Sequence, residues 1–116
     1  MKIYRRKDAD TAARAGYHAT YIADIEFPDH IGTAGVILVD VLKATKTSPH
    51  SHTMLDEAFI FLNRTRMGVG QDIFEIETGD VVIVEKGEKH WFESYPDEDI
   101  RIIAVKLPNL KDDKIE

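Results

Sequence analysis

The stretch that decides the fold runs from position 49 to 63 and reads PHSHTMLDEAFIFLN. It places His50 and His52 one residue apart, followed by Glu57 and an apolar run that is typical of a buried strand. In a strand, residues two apart point to the same side and are separated by about 6.6 Å. The two imidazoles are therefore predicted to lie on one face, close enough to converge on a single ion.

The position of Glu57 predicts a turn between the histidines and the apolar run. Glu57 follows His52 by an odd number of positions, so one continuous strand would place it on the opposite face. The segment TMLD is therefore predicted to turn, which would put Glu57 on the next strand and return its carboxylate to the histidines. A His-x-His pair on a half-apolar strand is more often structural than ligating, so the pair alone does not establish a metal site.

The rest of the chain reads as a succession of short strands. Strands are predicted at 19–27 and 35–44, with a loop at 28–35, and further strands in the segments EAFIFLN, DIFEIE, DVVIVE, HWFES and IRIIAVKL. Only 8–16 (DADTAARAG) reads as a helix, of one or two turns, and the charged tail 109–116 is predicted to fray. Short strands without helical crossovers indicate an all-β antiparallel sandwich or barrel.

Composition excludes several classes of protein and of site. A chain of 116 residues with 43% hydrophobic and 31% charged residues is typical of one globular domain. No apolar run is long enough for a membrane span and the N-terminus lacks a signal peptide, so a cytoplasmic protein without a membrane partner is expected. The net charge of −6 argues against nucleic acid as a partner. Because there are no cysteines, any metal would be held by nitrogen and oxygen.

A third histidine extends the pattern. The segment 78–92, TGDVVIVEKGEKHWF, carries a Gly-Asp turn, an apolar strand, a Gly-centred turn and His90. Read together with HSHTMLDE, it resembles the cupin superfamily. The first cupin motif is His-x-His, three or four residues, Glu, six residues, Gly; the second is Gly, five residues, Pro, one residue, Gly, two residues, His. In this chain Gly79, Gly87 and His90 match the second motif.

The resemblance implies both a fold and a metal site. The fold would be a single cupin domain over 1–116, an antiparallel β-barrel or jelly roll (the double-stranded β-helix) with its core at about 19–108. The site would hold one divalent transition metal per chain. Three imidazoles and one carboxylate suit Mn, Fe, Ni, Co or Zn better than Mg or Ca. A six-coordinate ion would keep two positions for water or substrate. The implied metal ligands are His50, His52, Glu57 and His90.

Strand parity predicts which side chains share the face of the ligands. Counted from Glu57, these are Phe59, Phe61 and Asn63, and counted from His90 they include Phe92. The four residues are candidates for a largely aromatic substrate pocket. In a barrel this small, phenylalanines more often fill the core than contact a ligand, and both interpretations stay open.

Two positions depart from the cupin motifs. Arg64 stands where the first motif has glycine, and Glu85 stands where the second has proline. Glycine marks a position that needs a positive φ or a close backbone approach, so the hairpin NRTRMGVG is predicted to turn at Gly68 or Gly70 instead.

Four further conspicuous residues match no motif position. We interpret His18 and His30 as surface or loop residues, and Trp91 as a packing or interface residue on the face opposite His90. Arg66, with Arg64, is predicted to lie on a solvated edge, on the face opposite Glu57.

The cupin resemblance leaves several functions open, because the superfamily includes enzymes, storage proteins and sugar-binding domains. Our first interpretation is a metal-dependent enzyme that acts on a small oxygen-bearing metabolite by isomerase, lyase or dioxygenase chemistry. The alternative is a non-catalytic module that binds a sugar or small acid, and a third possibility is a structural protein with an incidental metal. A homodimer is expected, because small cupins commonly pair and sheets expose edges.

Overall fold

The computed structural model describes residues 1–15, 17–23, 25, 30 and 32–116. The described part is nearly all β, which confirms the predicted fold class. A single 3-10 turn spans Arg6–Asp8, and no helix among the described residues is long and apolar enough to cross a membrane. The strands are β1 (Lys2–Tyr4), β2 (Asp10–Arg14), β3 (Tyr17–Tyr21), β4 (Gly35–Val41), β5 (Asp56–Phe61), β6 (Thr65–Val69), β7 (Asp72–Ile76), β8 (Val81–Val84), β9 (His90–Glu93) and β10 (Ile100–Leu107).

Two antiparallel sheets enclose the main core. One has the strand order β1-β8-β5-β10-β4, the other has the order β7-β6-β9, and β2 and β3 form a separate hairpin. Alternate residues of both larger sheets point into the space between them, as expected for a jelly roll. In the described residues these sheets are not hydrogen-bonded into one closed ring. The buried core side chains are Val41, Phe59, Phe61, Met67, Val69, Ile76, Val82, Val84, Phe92, Ile100, Ile102 and Ala104.

The predicted helix over 8–16 is wrong. Residues Asp10–Arg14 form strand β2, which pairs with β3 in a hairpin, and the 3-10 turn precedes this strand. Alanines favour a helix only weakly, and tertiary pairing overrides that preference here. Thr11 lies opposite Thr20, and their hydroxyl oxygens are 3.3 Å apart. Cross-strand pairs of this kind stabilise a hairpin.

The N-terminal strands differ from their predicted bounds. The predicted strand 19–27 corresponds to β3, which ends at Tyr21, while Asp24 and the positions 26–27 lie outside the described residues. Of the predicted loop 28–35, positions 28, 29 and 31 also lie outside them. The core was predicted to begin near residue 19, yet β1 pairs with β8 and Ile3 packs against the core.

The hairpin between β6 and β7 turns at Gly70, one of the two predicted glycines. Gly70 has a φ of +63°, a conformation that costs glycine little. Gly68 serves another purpose, because a Cβ at this position would overlap the ring of Trp91 on the neighbouring strand β9. Trp91 therefore packs on the outer face of the smaller sheet, as predicted.

Candidate metal centre

The four predicted ligands come from three segments of the chain. His50 and His52 lie just before β5, Glu57 is the second residue of β5, and His90 begins β9 in the opposite sheet. A bend at residues 53–54 redirects the chain between His52 and Glu57, as the parity argument predicted. The backbones of His50 and His90 pair directly, with N–H to carbonyl distances of 3.1 and 2.9 Å in the two directions.

These four side chains converge on one point between the sheets. Their candidate ligand atoms all lie within 4.8 Å of one another. Glu57 Oε1 is 2.6 Å from Nε2 of His52 and 3.4 Å from Nε2 of His90. The side chains of His52, Glu57 and His90 are buried, while His50 is half-buried.

Three of the converging atoms are buried without a hydrogen-bond partner: Nε2 of His52, Oε1 of Glu57 and Nε2 of His90. The 2.6 Å approach of His52 to Glu57 lacks the alignment of a hydrogen bond. Buried polar atoms without partners are costly, and native proteins almost always satisfy them. A cation between these atoms would satisfy all three, so the residues fit a metal ion.

Backbone carbonyls orient the three imidazoles. A carbonyl can only accept a hydrogen bond, so each Nδ1 facing one carries the proton and leaves the lone pair on Nε2. Histidines that bind a metal through one ring nitrogen commonly donate a hydrogen bond from the other in this way. The pairs of ring Nδ1 and carbonyl oxygen are His50 with Ser48 (3.4 Å), His52 with Asp113, and His90 with Glu88 (2.9 Å).

The electrostatics keep Glu57 ionised. Burial by itself would raise the pKa of Glu57, but the close approach of His90 and the electrostatic effect of the neighbouring imidazoles lower that pKa below its usual value. Burial lowers the pKa of His50, and the adjacent His90 lowers it further. An ionised carboxylate beside a neutral imidazole is the protonation state in which both bind a cation.

Part of the tail 109–116, which was predicted to fray, is instead bound to the segment that carries His52, through Asp113 and Ile115. Ile115 and Ser51 exchange two backbone hydrogen bonds of 2.8 Å. The carboxylate of Asp113 accepts hydrogen bonds from the Thr53 hydroxyl, from the Thr53 N–H at 3.1 Å and from the Met54 N–H at 2.6 Å. The Thr53 hydroxyl is the main cause of a lowered pKa of Asp113. We call this set of contacts the Asp113 clamp; it fixes the carbonyl that orients His52.

A cavity of about 430 Å³ opens beside the four ligands. His50, His52 and Glu57 form its polar end, and apolar side chains of both sheets form much of the remaining wall. A volume of this size lies at the lower end of the range for small-molecule sites. The other lining residues are Ile37, Val39, Thr47, Ser48, Phe59, Phe92, Ala104, Lys106, Lys114 and Glu116.

Two of the four predicted pocket residues lie elsewhere. Phe59 and Phe92 line the cavity, but Phe61 is fully buried in the core and does not. Asn63 lies beyond the end of β5, where its amide binds Glu98 and the backbone of Arg101. Strand parity correctly placed Phe61 on the inward face of β5. However, each further two residues along the strand lie about 6.6 Å farther from Glu57, so Phe61 does not reach the cavity. β5 has ended before Asn63, so parity no longer applies to it.

Other side chains singled out from the sequence stay away from the site. Arg64 and Arg66 are exposed and form ion pairs with Asp97, Glu98 and Glu75, as expected of a solvated edge. His30 is exposed, whereas the side chain of His18 lies outside the described part of the structure.

Sequence reasoning missed Lys106, Lys114 and Asp113. For Lys106 a signal was present, because Ile100, Ile102 and Ala104 are buried at alternate positions of β10 and Lys106 continues this series. No comparable signal marks the other two, which lie in a segment without regular periodicity.

Comparison with known proteins relates this geometry to solved structures. No protein-family model and no curated protein matches the chain. An uncharacterized conserved protein of Klebsiella pneumoniae with a double-stranded β-helix domain superposes with a TM-score of 0.62 and 15% identity, over 66% of this chain and 68% of that one. The chain has a cupin fold. The two sheets and the His/Glu cluster between them are those that the cupin motifs imply.

Two enzymes superpose equally well on this cupin fold. Oxalate decarboxylase of Lactobacillus farciminis, in a formate complex, gives a TM-score of 0.65 at 19% identity, over 72% of this chain and 26% of that one. The DMSP lyase DddQ of Ruegeria pomeroyi gives 0.64 at 16% identity, over 72% of this chain and 42% of that one. The chain thus spans about a quarter of the decarboxylase, and at such identities the likeness shows the cupin fold alone.

Proposed function

We propose that this chain is a metal-dependent cupin enzyme that acts on a small oxygen-bearing metabolite. The observation that carries the proposal is the set of three buried, unpartnered ligand atoms beside an open cavity. His50, His52, Glu57 and His90 would hold one divalent transition metal. Such an ion acts as a Lewis acid toward a bound oxygen or activates dioxygen.

The surrounding residues would bind and orient the metabolite. If these four residues held a six-coordinate ion, two positions would remain open, and the cavity would give a small molecule access to them. Phe59 and Phe92 form an apolar wall that excludes water from one side. Their rings contact each other at a centroid distance of 5.0 Å, and Phe59 also contacts His90 at 5.6 Å. These contacts would hold the wall in place during binding.

The structural neighbours support metal chemistry of this kind. Two of them are named as an oxalate decarboxylase and a DMSP lyase, and a Bacillus subtilis oxalate decarboxylase is described with Mn(II) centres. We therefore take manganese as the first ion to test. We propose a reaction of the isomerase, lyase or dioxygenase type.

Manganese-loaded protein should enhance the relaxation of water protons strongly, because an open site keeps exchangeable water on the ion. Oxalate, a small bidentate acid, should reduce this enhancement with saturable binding by displacing that water. Proton relaxation measured during an oxalate titration tests both expectations.

The metal content of protein purified from its native source then indicates the reaction type, since iron would favour oxygen chemistry.

A manganese form with low relaxivity and no response to oxalate would mean a sealed, coordinatively complete ion. That result would contradict metal-centred catalysis and favour the alternatives, a non-catalytic module that binds a sugar or small acid or a structural protein with an incidental metal.

We further propose that the chain forms a homodimer through β4. Strand β4 lies at the edge of the five-stranded sheet, and no described strand pairs with its outer side. Its outward face is apolar: Val36 is 73% exposed and Leu38 is 55% exposed. An edge strand with exposed apolar side chains is a surface that association commonly covers.

Light scattering at micromolar concentration should give about twice the 13.2 kDa mass of one chain. Leu38→Glu should shift the mass toward one chain, because it places a charge in the proposed interface. Ile73→Glu is the matched control, since Ile73 is 60% exposed on β7 of the other sheet. A wild-type mass of one chain would refute the dimer.

A further inference from the structure

The cavity beside the metal ligands contains a lysine on the core-facing side of a strand. Lys106 lies on β10 directly opposite Glu57 of β5, and residues opposite each other in an antiparallel pair share a face. Along β10 the same face carries Ile100, Ile102 and Ala104, all buried. Lys106 continues this series of residues on the same face, and it lines the cavity beside Glu57.

The charge of Lys106 has no acidic partner within the described residues. Its Nζ donates one long hydrogen bond, 3.4 Å, to the backbone carbonyl of Leu110, and no described carboxylate lies within 4.0 Å of it. Lys114, the other cavity lysine, differs in being exposed and in pairing with Glu116 at 3.5 Å. A half-buried ammonium is costly unless something neutralises it, so Lys106 is suited to meet an anion.

The charges around the cavity indicate how negative that anion should be. A divalent ion carries two positive charges, its histidine ligands are neutral and Glu57 removes one charge. Lys106 restores one, whereas Lys114 and Glu116 cancel each other. Two positive charges therefore remain to be balanced by the ligand.

We propose that the metabolite is a small dianionic acid, and that Lys106 binds the negative charge that the metal does not neutralise. The proposal rests on the proposed function and adds the substrate class and a specificity-determining residue to it. One carboxylate would bind at the metal end, and a free oxygen of the second anionic group would accept a hydrogen bond from Lys106 Nζ. Ile37 and Val39, which line the cavity together with Phe59 and Phe92, would contact a short hydrocarbon portion of the ligand.

The test compares three lysine variants in the manganese-loaded protein, with oxalate and glycolate as probes of two charges and one. Lys106→Met should weaken oxalate binding by about ten- to hundredfold, since it removes a charge-assisted hydrogen bond in a half-buried site. Glycolate binding should weaken less, because glycolate has one negative charge. Lys106→Arg should restore most of the oxalate affinity. Lys111→Met is the matched control: it makes the same change in charge at an exposed position and should leave both affinities unchanged.

Manganese content and melting temperature are measured first, and Lys106→Met should match wild type in both because Lys106 is not a ligand. Loss of manganese in this variant would overturn the assignment, because it would show that Lys106 contributes to metal binding. Equal oxalate affinity in wild type and Lys106→Met, or equal weakening in the Met and Arg variants, would overturn it too. Those results leave the proposed function intact, whereas a wild-type protein that does not respond to oxalate contradicts the proposed function itself.

Discussion

Replacing His52 with alanine should remove most of the metal affinity. His52 is 6% exposed, its Nε2 points at Glu57, and its Nδ1 is oriented by the carbonyl of Asp113. Structural zinc sites with four ligands bind their ion with about 10–16 kcal/mol, and on that scale the loss of one of four ligands should weaken binding by about 3 kcal/mol, more than a hundredfold. Elemental analysis after dialysis, with a competition titration against a chelator, measures the loss.

The control for this change is His30→Ala, because His30 is an exposed histidine outside the four-residue cluster. It should retain wild-type metal content. Far-ultraviolet circular dichroism of both variants should show the β spectrum of the wild type, which separates loss of a ligand from loss of the fold. Equal metal content in wild type and His52→Ala would end the assignment of the site.

Replacing Asp113 with alanine should weaken metal binding although Asp113 is not a candidate ligand. Its carboxylate holds Thr53 and Met54, and its own backbone carbonyl faces Nδ1 of His52. Without the clamp this carbonyl loses its fixed position, and the ring of His52 loses its orientation. Loss of a partner behind a metal ligand typically costs about ten- to hundredfold in affinity. The chelator competition titration used for His52 measures this effect.

Asp112→Ala is the matched control for the clamp. Asp112 is exposed, is the immediate neighbour of Asp113 and carries the same charge. It should therefore leave the affinity unchanged. Asp113→Asn should fall between the two, because an amide oxygen in place of Oδ1 can still accept the two hydrogen bonds from Thr53 but the amide nitrogen cannot accept the one from Met54. Wild-type affinity in Asp113→Ala would show that the histidine is oriented without this segment.

Much of the fold could be predicted because apolar periodicity reports directly on burial. Strand β10 alternates buried residues with more exposed ones from Ile100 to Val105, and β8 is buried throughout. The apolar pattern of the sequence agrees with the burial in the structure because each buried side chain contributes to the same core. Strand β2 could not be predicted in this way. Its segment DTAAR has only weak intrinsic preferences for helix or strand, and it forms a strand by pairing with β3.

The sequence by itself determined the four candidate ligands of this protein. His50 and His52 share a face by strand parity, Glu57 requires a turn to rejoin them, and His90 follows a glycine turn at a fixed spacing. The first two relations span few residues, so local backbone geometry is enough to establish them, whereas His90 joins the set through the resemblance to the second cupin motif.

Only the tertiary structure decided what surrounds the ligands. The carbonyl that orients His52 belongs to Asp113, 61 positions away, and Lys106 lies opposite Glu57 only because β10 pairs with β5 in one register. A backbone carbonyl is present at every residue and leaves no signature in the sequence. Register, in turn, is set by how whole strands pack against a common core, which no short segment encodes.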